Sequence, residues 1–154
     1  MSTVIKIRQA QRNDLEQIIA LLADDPLGSK REDASLPLAQ YYIDAFAAVN
    51  TDHNQLLTVA VDETNQVIGT MQISFIPSVA RKGAWRGQIE AVRVAKDHRS
   101  SGLGQQLMEW AINKCRERGC SLVQLTTDKT RPDAHRFYDR LGFAASHIGY
   151  KLIL

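Results

Sequence analysis

Residues 89–108 read IEAVRVAKDHRSSGLGQQLM, an alternating apolar stretch that passes through a short polar segment into a glycine-bearing helix start. Gln88 to Val94 reads as a strand. From near Gly102, the residues Leu103, Leu107, Met108, Ala111, Ile112 and Cys115 keep helical spacing, and Gly119 suits the position after the last turn. A turn of this kind can hold phosphate. The unpaired amides of a helix start point outward, the helix dipole favours an anion there, and Gly102 and Gly104 remove side chains that would block its approach. Arg99 adds a charge-assisted donor. Ser100, Ser101 and Gly102 are also ordinary helix-start residues, and on this segment alone that reading stands beside the first. Two other phosphate loops do not fit. A P-loop needs Lys and then Ser or Thr after its glycine, where this chain has Gln105-Gln106, and a dinucleotide turn needs glycine where Leu107 stands.

Working outward, Thr3 to Arg8 reads as an edge strand, and Asn13 as the cap of a helix with Glu16 three residues on and Leu15, Ile18, Ile19 and Leu22 on one face. Ser35 is expected to cap a second helix, with Pro37 in its first turn and Leu38, Tyr41, Tyr42, Ala45, Phe46 and Val49 as its apolar stripe. Leu56 to Val61 and Val67 to Ile76 form a hairpin around Asp62 to Asn65, stopped by Pro77. Residues 78–87 read as a mobile basic loop. Leu122 to Thr127 is a strand, Pro132 opens a helix ended by Gly142, and Ser146 to Ile153 is expected as a last strand. The order calls for one mixed β-sheet flanked by helices on both faces, a single-sheet α/β domain over residues 1–154.

At 154 residues the chain fits one domain, long enough to bury roughly 70% of its unfolded surface. No stretch approaches a membrane helix, and MSTVIKIRQ lacks the apolar run of a signal peptide, so a cytoplasmic location without a membrane partner is expected. Cys115 and Cys120 are read as reduced and structural, and no metal is predicted because no ligand spacing is present. The charge is divided: residues 1–80 hold 5 basic and 10 acidic side chains, net −5, whereas residues 81–154 hold 14 and 7, net +7. A polyanionic ligand suits the second part and a cationic one the first. The basic residues are scattered, without a zinc-finger or RNA-binding signature, so no nucleic-acid partner is expected.

Two motifs then carry a resemblance. Arg99-Ser100-Ser101-Gly102-Leu103-Gly104, after the strand Val92-Arg93-Val94, matches the (Gln/Arg)-x-x-Gly-x-(Gly/Ala) pyrophosphate loop of the GNAT superfamily of N-acetyltransferases. Ala134-His135-Arg136-Phe137-Tyr138 with Leu141-Gly142-Phe143 matches that family's second conserved segment. The chain resembles this family over most of its length, most strongly over residues 88–145. The resemblance implies the GNAT acyl-CoA N-acyltransferase fold, acetyl-CoA as co-substrate and an amine acceptor. It implies that the backbone of Val92 and Val94, flanking Arg93, pairs with the pantetheine arm, and that Arg99, Ser100, Ser101, Gly102, Leu103, Gly104 and Gln105 surround the pyrophosphate. An exposed strand edge offers the unpaired amides and carbonyls that such an arm satisfies.

Attack of an amine on a thioester needs a neutral amine, help for the oxyanion and a proton for the thiolate. By the resemblance, Tyr138 protonates the sulfur; it also sits on a packing stripe. Glu90, just before the pantetheine-binding residues, is the candidate base through water, and the amide of Val92 or a neighbour the candidate oxyanion donor. His135 is expected to contact solvent or cofactor. The family commonly has asparagine where this chain has Arg131, which can still reach a phosphate or amide. Asp24, Asp25, Glu32, Asp33 and Asp44 offer a surface to a cationic amine. The segment Asp133 to Tyr138 with Ser146-His147 also looks like the aminoalkylphosphonate N-acetyltransferases, in which case Arg81, Lys82 or Arg86 would meet an anionic acceptor group. The expected partners are acetyl-CoA and a small amine. A protein amine as acceptor and a non-catalytic CoA-binding regulatory module are the alternatives, and a homodimer is an expectation by family analogy.

Overall fold

The computed structural model describes residues 4–154 and falls into two compact units, Met1–Gln124 and Leu125–Leu154. The first holds β1 (Lys6–Gln9), α1 (Leu15–Ala23), α2 (Gln40–Thr51), β2 (Gln55–Val61), β3 (Val67–Ile76), the single turn α3 (Ala80–Gly83), β4 (Trp85–Val94) and α4 (Leu103–Glu117). It also holds all but the last residue of β5 (Cys120–Leu125). One mixed five-stranded sheet runs in the order β1-β2-β3-β4-β5, with antiparallel pairing from β1 through β4.

Side-chain alternation sorts the sheet into two faces. On one, Val59 and Val61 form a core with Ala10, Ile18 and Val67, and Leu21, Leu22, Phe46 and Leu57 pack against it, so α1 and α2 cover this face. On the other, a β-carbon at Gly69 would lie 3.0 Å from Leu107 Cδ1 and one at Gly87 2.2 Å from Cys115 Sγ, so α4 covers that face. Leu103, Leu107, Met108 and Ala111 are fully enclosed there. Helices on both faces are what the element order predicts.

The β3–β4 register slips by one residue, from Thr70↔Arg93 to Gln72↔Glu90, and Ala91 at the slip has φ 55. This bulge changes the parity of β4. Gly87 and Ile89 face α4 before it; after it Val94 lies opposite Gly69 on that face, which turns Arg93 toward α1.

Several boundaries differ from the sequence reading. Thr3 lies outside the described residues. The start of α1 uses Asp14 rather than Asn13 and Glu16: the Gln11 amide donates to Asp14 Oδ2 at 2.7 Å, and Arg8 pairs with the same carboxylate. Ser35 caps no helix, because its amide and hydroxyl both donate to Asp33 Oδ1, and α2 starts at Gln40. Strand β4 begins at Trp85 because Arg86 and Gly87 pair with Ile76 and Phe75, so the expected loop is shorter. β5 lies two residues earlier than expected.

The second unit contains α5 (Pro132–Arg140), with Pro132 in its first turn and Gly142 at φ 91 after its end. The expected strand over Ser146 to Ile153 is not formed; residues 143–154 carry no regular structure, and Ile148, Tyr150, Leu152 and Ile153 are exposed. Alternating apolar residues suit a strand, but only a ladder partner makes one. Among the described residues no helix is long and apolar enough to cross a membrane, and no three His, Cys, Asp or Glu side chains cluster as metal ligands.

Candidate functional site

The bulge and the α4 start lie on one continuous piece of backbone. Past Ala91, Val92, Arg93 and Val94 are half-buried and finish β4, and the chain then makes a short 3-10 turn over Lys96–His98. Ser100 has φ 62 and Gly102 φ 86, and Gly102 caps α4. The Ser101 hydroxyl donates to the His98 carbonyl, which closes this turn. Gln106 is the first residue whose amide reaches back into the helix, at 3.1 Å from the Gly102 carbonyl. The amides preceding it therefore point out of the helix start, as a phosphate site requires. Ser100, Ser101, Gly102 and Gln105 are exposed and Gly104 half-buried. A β-carbon at Gly102 would meet nothing within 4 Å, so the space above the turn is open. The turn therefore suits a pyrophosphate. Leu103 can contribute only main chain, since its side chain is in the core.

Neither arginine near the turn has a free head group. Arg93 Nε lies 2.7 Å from Asp25 Oδ2, with the two side chains 20% and 7% exposed, and Arg93 Nη1 donates to the Val92 carbonyl at 2.8 Å. Arg99 donates to the Val94 carbonyl at 3.3 Å and to the Asp24 carbonyl at 3.2 Å. This ties the turn to the end of α1.

Beside the apolar core, the face toward α1 and α2 becomes polar. Gln72 and Ser74 both donate to Gln55 Oε1, at 2.9 and 2.8 Å, and alternation sets Arg86, Gln88 and Glu90 on the same side of β4. Glu90 is exposed. Arg86 Nε is buried and, among the described residues, has no hydrogen-bond partner. Such a donor is costly to leave unpaired and suits an anionic group. Arg81 and Lys82 both have positive φ in the turn α3 just before β4.

The acidic side chains of the first half are largely occupied. Asp25 holds Arg93, Asp33 holds Ser35, and Asp44 accepts from Gln40 at 2.9 Å. Tyr42 donates to Glu32 Oε2 at 2.8 Å and accepts from the Asp33 amide at 2.9 Å. Burial pushes the Tyr42 hydroxyl up to about 12, the Asp33 amide opposes this, and Glu32 adds to it.

In the second unit, Arg131 stands immediately before α5 and is half-buried. His135 Nε2 lies 2.9 Å from the Asp128 carbonyl, an acceptor only, so that nitrogen carries the proton. The Tyr138 ring meets Phe137 and Phe143 edge-on, with centroids 5.3 and 5.9 Å away. Sequence reasoning missed the bulge, since Ala91 is not a residue that favours positive φ, and it missed the Asp25–Arg93 pair, whose members are far apart in the chain.

The family model for the acetyltransferase (GNAT) family matches residues 15–143. The aminoalkylphosphonate N-acetyltransferase of Salmonella typhimurium is 30% identical over 147 residues, 96% of this chain and 90% of that protein. A Bacillus halodurans protein solved under the name of a transcriptional regulator is 47% identical, with a TM-score of 0.95, covering 98% of this chain and 100% of that one. An acetyltransferase of Trypanosoma brucei superposes with a TM-score of 0.81 at 25% identity, covering 98% and 100%.

Proposed function

Because the chain belongs to the GNAT acetyltransferase family, whose members are acetyl-CoA-dependent acyltransferases, we propose that it acetylates the amine of a small molecule by direct attack in a ternary complex. Residues 1–154 would serve as one N-acetyltransferase domain. The observation that carries the reading is the continuity of the β4 bulge at Ala91 with the open turn at Ser100–Gly102. One piece of backbone would then carry both the pantetheine arm, along Val92 to Val94, and the pyrophosphate, at the turn.

Acetyl-CoA supplies the thioester carbonyl and the thiolate leaving group. The amides from Ser101 to Gln105 hold the pyrophosphate, and the main chain of Val92 and Val94 aligns the arm. Glu90 takes a proton from the acceptor's ammonium through water, which frees the nitrogen lone pair to form the new C–N bond, and the second nitrogen proton leaves to water as the amide forms. The Val92 amide donates to the carbonyl oxygen as charge builds on it. The Tyr138 hydroxyl protonates the sulfur as the C–S bond breaks. Arg131 and His135 contact the cofactor.

The Salmonella relative's name supports an acceptor that carries an anionic group beside its amine. Arg86, whose buried Nε has no hydrogen-bond partner among the described residues, lies on the polar face that also holds Glu90 and is suited to that group, and Arg81 and Lys82 add positive charge. The acceptor then lies between this face of β4 and the segment that links α1 to α2.

Incubation with acetyl-CoA and a set of amines that includes aminoalkylphosphonates is expected to release free thiol, with Tyr138→Phe slowing release about a hundredfold. No turnover with any amine overturns the proposal. The name of the Bacillus halodurans relative favours a second reading, a CoA-binding regulatory module without catalysis. Tight CoA binding with a thioester stable for hours would select it.

A further inference from the structure

Asp25 belongs to the acidic set expected to draw a cationic amine, but its carboxylate is already committed. Oδ1 accepts from the amides of Leu27 at 2.8 Å and Gly28 at 3.1 Å, Oδ2 faces Arg93 Nε at 2.7 Å, and the side chain is 7% exposed. An amine would have to displace a guanidinium and strip two amides to reach it. A different role fits these contacts. We propose that Asp25 and Arg93 form a positioning pair that fixes the segment after α1 to the bulged end of β4. The proposal rests on the reading that the acceptor amine binds between that segment and β4.

The path is unbroken. It runs from the Val92 carbonyl to Arg93 Nη1 at 2.8 Å, from Arg93 Nε to Asp25 Oδ2, and from Asp25 Oδ1 to the Leu27 and Gly28 amides. Val92 belongs to the stretch of β4 assigned to the acyl arm, whereas Leu27 and Gly28 begin the segment that leads to Glu32, Asp33 and Tyr42. That segment is held tightly at its start, since a β-carbon at Gly28 would stand 1.8 Å from the Leu22 carbonyl oxygen. The bulge is what makes the pair possible. Without the extra residue, Arg93 would keep the parity of Gly87 and Ile89 and face α4, out of reach of Asp25. A guanidinium that ion-pairs a carboxylate through Nε while Nη1 donates to a carbonyl holds both at once, which a lysine's single ammonium does not reproduce. Misplacement of reacting groups by about 1 Å costs on the order of a hundredfold in rate, so such a brace bears directly on attack.

The experiment compares Asp25→Asn and Arg93→Lys with the wild type in two readouts, steady-state kinetics in both substrates and amide hydrogen exchange over residues 24–35. Asp25→Asn keeps the shape and an acceptor for the two amides while removing the charge. It is expected to lower kcat/KM for the amine about tenfold or more, leave KM for acetyl-CoA within about twofold, and speed exchange over residues 26–34. Arg93→Lys, which also loosens the Val92 carbonyl, is expected to raise KM for both substrates. Should Asp25→Asn fail to fold, the Arg93→Lys kinetics decide. Wild-type turnover with unchanged amine kinetics in the folded variants overturns the positioning role alone. A fall in melting temperature with kcat and both KM values unchanged does the same, since that is what a merely structural pair would give. A wild type that acetylates no amine overturns the acceptor reading beneath it.

Discussion

Gly87 and Cys115 share a space that only one of them fills: a β-carbon on Gly87 would sit 2.2 Å from Cys115 Sγ and 3.3 Å from its Cβ. Helix α4 lies that close to β4 because residue 87 has no side chain, and this approach sets the helix that begins at the open turn around Gly102. Gly87→Ala is therefore expected to destabilise the protein by about 2 kcal/mol through overpacking, or about 4–8 °C in melting temperature. Adding Cys115→Ala should recover much of the loss in a double-mutant cycle, as the sulfur is the clashing atom. Additive losses in thermal unfolding would contradict this account.

Gly102 is held at φ 86 with open space around it, so its conformation alone constrains it. Gly102→Ala adds no clash but makes that conformation cost about 1–2 kcal/mol. Relaxation of the unliganded turn away from it then has to be reversed on binding. The expected result is acetyl-CoA affinity weaker by about tenfold in calorimetry, with Gly102→Asn closer to wild type because asparagine tolerates this region better.

Asp14 ties β1 to the start of α1. Burial works against its charge, but Arg8 at 2.7 and 3.0 Å and the Gln11 amide at 2.7 Å outweigh it, leaving the carboxyl below its ordinary range. Its proton is thus held less tightly in the folded protein than in the unfolded chain. The stabilisation is present in full above about pH 4 and is lost as pH falls through the lower folded value. Urea unfolding at pH 7 should show Asp14→Asn destabilised by about 3 kcal/mol, and the gap from wild type should narrow toward pH 3.

Cys115 lies on the buried face of α4, where burial first and then its neighbour Cys120 push the thiol up to about 12. Burial also raises Cys120, against a hydrogen bond from Cys115 and the charge of Arg118. At pH 8 the native Cys115 thiol stays protonated, so its reaction with a disulfide reagent should be about a thousandfold slower than in urea. Rapid modification of Cys115 in the folded protein would contradict its placement.

Periodicity made most of the first unit legible. The stripe Leu103, Leu107, Met108, Ala111 and Cys115 gave α4 and its buried face, and Asp62 to Asn65 gave the hairpin, where Asp62 Oδ1 accepts from Thr64 and Gln66. The turn before α4 was legible because Gly102, at a required positive φ, leaves a mark in the sequence. Helix starts were misread where competing polar residues stood close together: Asp14 prevailed over Asn13 through Arg8, and Asp33 captured Ser35. The polar face of Gln55, Gln72, Ser74 and Arg86 could not be read at all, because pairing across strands assembles it.

The irregularity at Ala91 also acts as a counter. It decides which of the following residues look toward α1 and which toward α4, so β4 encodes its two faces in how many residues it has between Glu90 and Arg93 as much as in which ones. Removing one residue there would leave the composition almost intact, yet would exchange the outlook of every residue from Arg93 onward relative to the residues before the gap.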